Sequence, residues 1–296
     1  MQPTRFYVAG LSPALLLLCI FFIGPGLWAV YASFTNMALV GPAAAHASFV
    51  GLQNYAHLLR DSAFRQSVGN SLLFVIGSAV IGQFLFGLGL ALLLEYTEQA
   101  GIAGGNLVYA AVLLAWVSPV LISGFLWTAM FDYYYGTLNM LRVALDMQPI
   151  NWLGNQAMLA VIIANIWRGT AFTMMVFLSG LKTIPREIYE AARMDGSSAW
   201  DRFRDMTVPS LAPIALIVLL NITIATFGAF ALILTLTNGG PGLKTEVISL
   251  YAYHTAFSSY QIGYGSTIAV AMLALNLVFA IAYLAMLRPS TRSGES

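Results

Sequence analysis

The sequence predicts an all-α integral membrane fold with six transmembrane helices, and three observations predict it. Hydrophobic residues fill 59% of the 296 positions and charged residues only 8%, against roughly 45 to 50% apolar and 25% charged in soluble domains. Six apolar stretches are each long enough to cross a bilayer core as helix, the form that satisfies every backbone polar group within the segment. The little charge there is gathers in one place: ten ionisable side chains lie from Lys182 to Asp205, out of 13 basic and 12 acidic residues in all. With a formal net charge of +1, strong attraction to nucleic acid is excluded.

The spans are read at about residues 8–34, 66–94, 106–130, 156–180, 210–236 and 262–287, with Pro13, Pro25 and Pro119 as expected kinks. The first stretch carries a VYA tripeptide, Val30 to Ala32, that could pass for a signal-peptide cleavage site. Its apolar run exceeds the usual h-region of about 7 to 15 residues, so it is read as a retained span. The lone Cys19 lies in that run and offers neither a disulfide nor a Cys-based metal site. The connections on the far side are too short for separate domains, so one membrane domain, 1–296, is expected.

An even number of spans puts both termini on one side, with the second-to-third and fourth-to-fifth loops. Arg5, Lys182, Arg186, Arg193, Arg202, Arg204, Arg288 and Arg292 lie there, against Arg60, Arg65, Arg142 and Lys244 opposite. The positive-inside rule therefore predicts cytoplasmic termini in a multi-pass protein of the cell (inner) membrane.

The charged stretch itself, EIYEAARMDGSSAWDRFRD, is predicted to be a helix, a glycine turn and a helix. Pro185 suits a first helical turn and Gly196 the position just past a helix end. Ser198 with Asp201 fits an N-terminal cap, and Pro209 is expected to stop a second short helix over 199–206. Neither helix is long enough to cross the membrane. On the first, Ile188, Tyr189 and Ala192 can form an apolar ridge edged by Glu187, Glu190 and Arg193, either resting on lipid headgroups or docking into a partner's groove.

Glu190-Ala191-Ala192, three residues, Gly196, nine residues, then Met206-Thr207-Val208-Pro209 resembles the EAA loop of permease subunits of bacterial ABC importers. Met206 and Val208 stand where that pattern has Ile and Leu. The flanking LSGLKTIPREIYEA and DRFRDMTVPSLAP are similar to the carbohydrate-importer branch. So are FVGLQNYAHLL and LTNGGPGLKTEVISLYAY, which resemble loops of the maltose-transporter F-type and glycerol-phosphate-transporter A-type subunits. The resemblance implies a type I importer permease fold with a cytoplasmic EAA coupling helix. It implies that Glu190, Ala191, Ala192, Asp195, Gly196 and Pro209 form the contact with the ATPase. The implied partners are a second homologous permease, two ABC ATPase subunits and an external substrate-binding protein. ATP and Mg would be bound by the ATPase, and no cofactor by this chain.

The same resemblance implies a substrate path on the spans flanking the EAA loop. Trp167 stands at a pathway Trp of the pattern WxGxPY, and Phe172 stands where that pattern has Tyr. Thr226 and Ala229 replace the sugar-binding Asn residues of the maltose-type subunit, so the amides that would fork onto maltose hydroxyls are missing. Trp167, Phe172, Phe227 and Phe230 can stack on a sugar's apolar face or simply pack helices. Arg168, inside the fourth span, would cost about 2.5 to 3.5 kcal/mol at a helix centre. It is open to two readings, a contact to substrate hydroxyls or phosphate, or a structural ion pair or carbonyl contact between helices.

Enzymatic chemistry finds no motif. GGPGLKT fails as a P-loop because Leu243 separates Gly242 from Lys244. His46, His57 and His254 lack ligand spacing, and no GxSxG occurs. Two other classes stay open. An ion-coupled secondary transporter would want intramembrane carboxylates, and none lies deep in a span. A membrane assembly or sensor protein would need the docking knob without a path.

Overall fold

The structure is a computed structural model that describes the backbone of residues 4–287 and the side chains of residues 10–286. The Arg5, Arg288 and Arg292 side chains that entered the charge count lie outside the described residues. The described residues are helical and turn structure, with one isolated bridge between Thr35 and Phe49.

The first span joins α1 (Thr4–Leu18) to α2 (Gly24–Ser33) through a π-helical turn, Cys19–Ile23. Pro25 sits in the first turn of α2, where its missing N–H costs least. After two short helices, α3 (Pro42–Ala45) and α4 (Gln53–Arg60), comes α5 (Ser62–Phe74). It continues through a π stretch, Val75–Gln83, into α6 (Phe84–Gln99). That second span is a continuous 38-residue helix, about 57 Å long, so it reaches well beyond the hydrocarbon at its ends.

The third span differs from the sequence expectation of one helix over 106–130. α7 (Gly105–Val117) and α8 (Val120–Met130) meet at a 107° bend at Ser118-Pro119. Pro119 announces a kink, and the extended backbone of Ser118 before it is what the ring of Pro119 demands. A short helix, α9 (Thr137–Ala144), leads to α10 (Ala157–Leu181), the fourth span.

Two further expectations are corrected in the charged stretch. The first helix, α11 (Arg186–Met194), begins after Pro185, whose extended backbone precedes the first turn. Pro209 does not stop the second helix: α12 (Ala199–Arg202) passes through a π turn, Phe203–Thr207, into α13 (Val208–Phe227), giving 29 continuous residues. Pro209 is tolerated because the π turn has already broken the regular ladder that its missing N–H would have joined. The expected span 210–236 ends instead at Phe227. α14 (Ala231–Leu236) resumes after a break at Gly228 to Phe230. α15 (Ile248–Tyr253), a π turn at His254–Ser258 and α16 (Ile262–Leu287) complete the chain.

The helices form two compact units, residues 4–65 with 251–274, and residues 66–250 with 275–287. In the first, Asn54 donates to the carbonyls of Ser33 and Thr35 at 2.9 and 2.8 Å, and Thr267 donates to Ser33 O at 3.0 Å. Asp61 accepts both phenol hydroxyls of Tyr251 and Tyr264 on one oxygen, at 2.5 and 2.6 Å. In the second unit α6 lies close against α10. A Cβ at Gly87 would stand 2.5 Å from Thr173 Cβ and 3.0 Å from Met174 N, so only glycine permits the approach. Phe84 meets Phe177 edge-on at 5.2 Å beside it.

Candidate functional site

The candidate coupling element, the charged stretch from Arg186 to Thr207, is built as a turn held from both sides. Gly196 adopts φ +77°, the left-handed region that side chains disfavour, and this reverses the chain after α11. Ser198 then accepts from Asp201 N while Asp201 accepts from Ser198 N, a reciprocal box that starts α12. Arg202 donates to Ser197 O across the turn. The Tyr189 and Thr207 hydroxyls share a hydrogen bond at 2.9 Å, which pins α11 to the base of α13.

The expected apolar ridge of α11 divides. Ala192 is 3% exposed and Tyr189 half-buried, because both face the chain's own helices. The outward surface is Ile188, Met194 and Trp200, the last two 89% and 65% exposed, with Ala191, Asp195 and Gly196 also exposed. Met194 and Trp200 are apolar side chains that the composition did not single out; their places on either side of the Gly196 turn were the available signal. Pro209 lies exposed in the first turn of α13.

Glu190 is exposed and borders a cleft of about 790 Å³ with Glu95, Arg186 and Arg193, between this element and the end of α6. Among the described residues Glu190 makes no hydrogen bond or ion pair. At the cleft edge Lys182 Nζ meets Glu98 at 2.7 Å, and that hydrogen bond raises the ammonium above its ordinary pKa. The pair is solvent-exposed and contributes at most about 1 kcal/mol.

At the membrane level, Trp167 lies edge-on to Trp127 at 5.8 Å. Trp127 packs on Phe131 at 5.0 Å and Phe131 on Trp152 at 5.4 Å, so the four rings form a ladder leading from α10 to the connection after α8. The sequence reading missed Trp127, whose indole N–H is buried without an acceptor among the described residues. Arg168 is half-buried, and its Nε is likewise buried with no acceptor among the described residues. A helix–helix ion pair for Arg168 is therefore not made within them.

One turn from Arg168, Asn165 Nδ2 donates to Ser78 Oγ at 2.8 Å, and Gln83 Nε2 donates to Asn165 O at 3.3 Å. This polar run joins the π stretch of the second span to α10. Its signal was legible as two amides inside apolar stretches.

The other path candidates sit apart in character. Phe172 is half-buried. Thr226 is 4% and Phe227 1% exposed, and Phe227 packs on Phe279 at 5.7 Å, a core position. Ala229 and Phe230 lie in the break between α13 and α14, where Ala229 O accepts from Ser249 Oγ at 3.2 Å. Non-helical backbone at membrane depth is stable only when buried in protein or lining a wet cavity.

Comparison with known proteins places this geometry. Residues 87–292 match the family model described as "Binding-protein-dependent transport system inner membrane component". The chain is 37% identical to the trehalose/maltose transport system permease protein MalF of Thermococcus litoralis, over 80% of this chain and 79% of that protein. It is 33% identical to the sulfoquinovosyl glycerol permease SmoG of Agrobacterium fabrum (94% and 89% covered) and 30% to the sn-glycerol-3-phosphate permease UgpA of the same organism (91% and 89%). Among solved structures, a chain of the bacterial alginate ABC transporter in complex with alginate pentasaccharide-bound periplasmic protein superposes with TM-score 0.82 at 20% identity, covering 98% of this chain and 96% of that one. A chain of the MetNI methionine ABC transporter superposes at 0.57 with 18% identity, over 81% and 99%. The two superpositions agree in fold, and the sequence matches carry the assignment: this chain belongs to the inner membrane components, or permease subunits, of binding-protein-dependent ABC transport systems.

Proposed function

We propose that this chain forms half of the translocation path of an ATP-driven importer for a sugar, a related polyol or a glycerol phosphate. In this reading a second, homologous permease completes the path and two ATPase subunits, which bind ATP and Mg, drive it. An external substrate-binding protein delivers the solute, and both termini and the coupling element face the cytoplasm.

The observation that carries the reading is the coupling element. Ile188, Met194 and Trp200 are exposed around a left-handed glycine, a surface that favours burial against a protein groove. Glu190, Ala191, Ala192, Asp195, Gly196 and Pro209 would make or shape that contact. The short α11 is fixed to α13 by Tyr189 and Thr207, and α12 runs into α13 without a helical break. Movement of the docked ATPase would then turn α13 as a lever. The break at Gly228 to Phe230 near its far end lets Thr226, Phe227, Ala229 and Phe230 shift relative to α14.

Trp167, Phe172 and Arg168 would line the path from α10. Trp167 offers a ring face, and Arg168 offers donors whose missing partner is an acceptor oxygen. The relatives' names, trehalose/maltose, sulfoquinovosyl glycerol and glycerol 3-phosphate, support an oxygen-rich solute.

The test is to tag the chain, purify it from native membranes in mild detergent and identify its companions by mass spectrometry. An ATPase and a second permease should be recovered, and ATPase recovery should fall when Glu190 and Gly196 are replaced together. A chain recovered alone, and moving solute in proteoliposomes without ATP, would overturn the reading in favour of an ion-coupled transporter.

A further inference from the structure

The connection between the third and fourth spans holds a helix whose polarity is inverted. In α9 and at its C-cap, Thr137, Met140, Leu141, Val143, Ala144 and Leu145 face outward, and none carries charge. Met140, Leu141, Val143 and Leu145 are each 57 to 63% exposed. The amide and the cation turn inward instead. Asn139 is 2% exposed and donates to Tyr133 O and Ile150 O, while its oxygen accepts from Ile150 N and the Trp152 indole. Arg142 is half-buried and its Nε donates to Gln148 O at 2.9 Å, which folds the cation back onto the loop. A helix against water shows the opposite arrangement.

Its height relative to the bilayer is constrained. Asn139 is bonded to Tyr133, three residues past the end of α8, and to Trp152, five residues before α10. Eight residues span about 12 Å, so α9 cannot cross. Earlier in the chain than α9, beyond the exposed Asp132, α8 in the third span exposes a second apolar face, Leu121, Ile122, Phe125 and Leu126. Between them stand Tyr133, Tyr134 and Tyr135, the last two 77% and 86% exposed, the residue type that collects at headgroup level.

We infer that α9 lies in the plane of the bilayer interface at the end opposite the coupling element, its Met140–Leu141–Ala144–Leu145 face against lipid acyl chains. A soluble partner fits poorly. It would have to present a matching apolar surface to water whenever it left, whereas lipid supplies that surface permanently. The consequence reaches the path, because Trp152, bonded to Asn139, begins the ring ladder that ends at Trp167.

The test uses the importer complex recovered with this chain, its partners' accessible cysteines replaced, reconstituted in bilayer nanodiscs, with Cys19→Ser removing this chain's one thiol. Met140→Cys, Leu141→Cys and Leu145→Cys are spin-labelled singly, with Gln148→Cys as the water-side reference. Relaxation by oxygen, which partitions into lipid, is compared with relaxation by a water-soluble nickel chelate. The expected result is oxygen access exceeding nickel access at 140, 141 and 145, the reverse at 148, and no change when the external binding protein is added. Nickel access dominating on the α9 face would overturn the inference, since the face would then stand in water. Exclusion of both reagents would overturn it in favour of a neighbouring subunit, and exclusion appearing only with the binding protein would reassign the face to docking.

Discussion

Asp61 shows how a single carboxylate can hold a unit together from outside the bilayer. One oxygen takes the hydroxyls of Tyr251 and Tyr264, and the other accepts from Ala63 N at 2.9 Å, capping α5. Burial alone would raise its pKa, and the two phenols with the backbone amides more than reverse this, leaving it below the ordinary 3.8. Tyr251, raised by burial and then by the bond to Asp61, stays a donor. Because the folded value is the lower one, the stabilisation is fully present above the unfolded pKa and is lost as pH falls through the folded value. Asp61→Asn turns an amide donor toward two phenol donors and should cost about 2 kcal/mol, read as a lower thermal midpoint at neutral pH. Acidification should then lower the midpoint of the variant less than that of the wild type; an equal acid response would remove Asp61 from the account. The clasp was not legible in the sequence, because its phenols stand 190 and 203 residues away. Gly196 was legible, because a positive φ is a local demand that only a few residue types meet.

At the scale of elements, composition fixes what lies in lipid far better than how helices end. Four of the expected spans hold a helix long and apolar enough to cross over most of their length, the third is a bent pair of helices, and the fifth stops nine residues short at Phe227. Pro119 signalled a kink, but the 107° bend depends on how α7 and α8 pack, which no local pattern states. Pro209 misled because a proline reads as a stop unless the preceding turn is already π. The coupling element was read from its caps, whereas the burial of Ala192 and the exposure of Trp200 needed the neighbouring helices.

Two predictions belong at this scale. A Cβ at Gly196 meets nothing within 4 Å in this chain, so Gly196→Val costs only the backbone strain of about 1 to 2 kcal/mol unless a docked partner occupies that space. The expectation is an assembled importer whose ATP-driven uptake falls about tenfold, equivalent to ~1.4 kcal/mol of lost coupling. Gly196→Asn, which tolerates the left-handed backbone, should lose less; equal uptake by all three forms would remove the turn from coupling. Asn139→Ala leaves the Ile150 and Trp152 groups without partners and should destabilise the 131–155 connection by about 3 kcal/mol. Limited proteolysis should then cut within that connection while the cores of the spans stay protected.

For the whole molecule, the proposed function puts ATPase contact at the Gly196 turn and solute contact near Trp167, on different elements, so energy use and solute recognition would be separable. α10 is a single 25-residue helix, about 37 Å long, with Trp167 some fourteen residues before the turn into α11. If the proposed path is right, Trp167→Ala removes a ring face without touching the docking surface. The reconstituted complex should keep its ATP hydrolysis, while the solute concentration giving half-maximal uptake rises. Gly196→Val should do the reverse, leaving that concentration unchanged and lowering the maximal rate. Trp167→Phe keeps the ring and should restore much of the affinity, which a purely structural Trp167 would do equally for stability. The deciding readout is therefore the split between apparent affinity and maximal rate, with thermal midpoints held alongside. If Trp167→Ala lowered the midpoint and the maximal rate together, with apparent affinity unchanged, then Trp167 would be a packing partner of Trp127 and the solute would have to be read elsewhere, with Arg168 and the break after α13 as the remaining candidates.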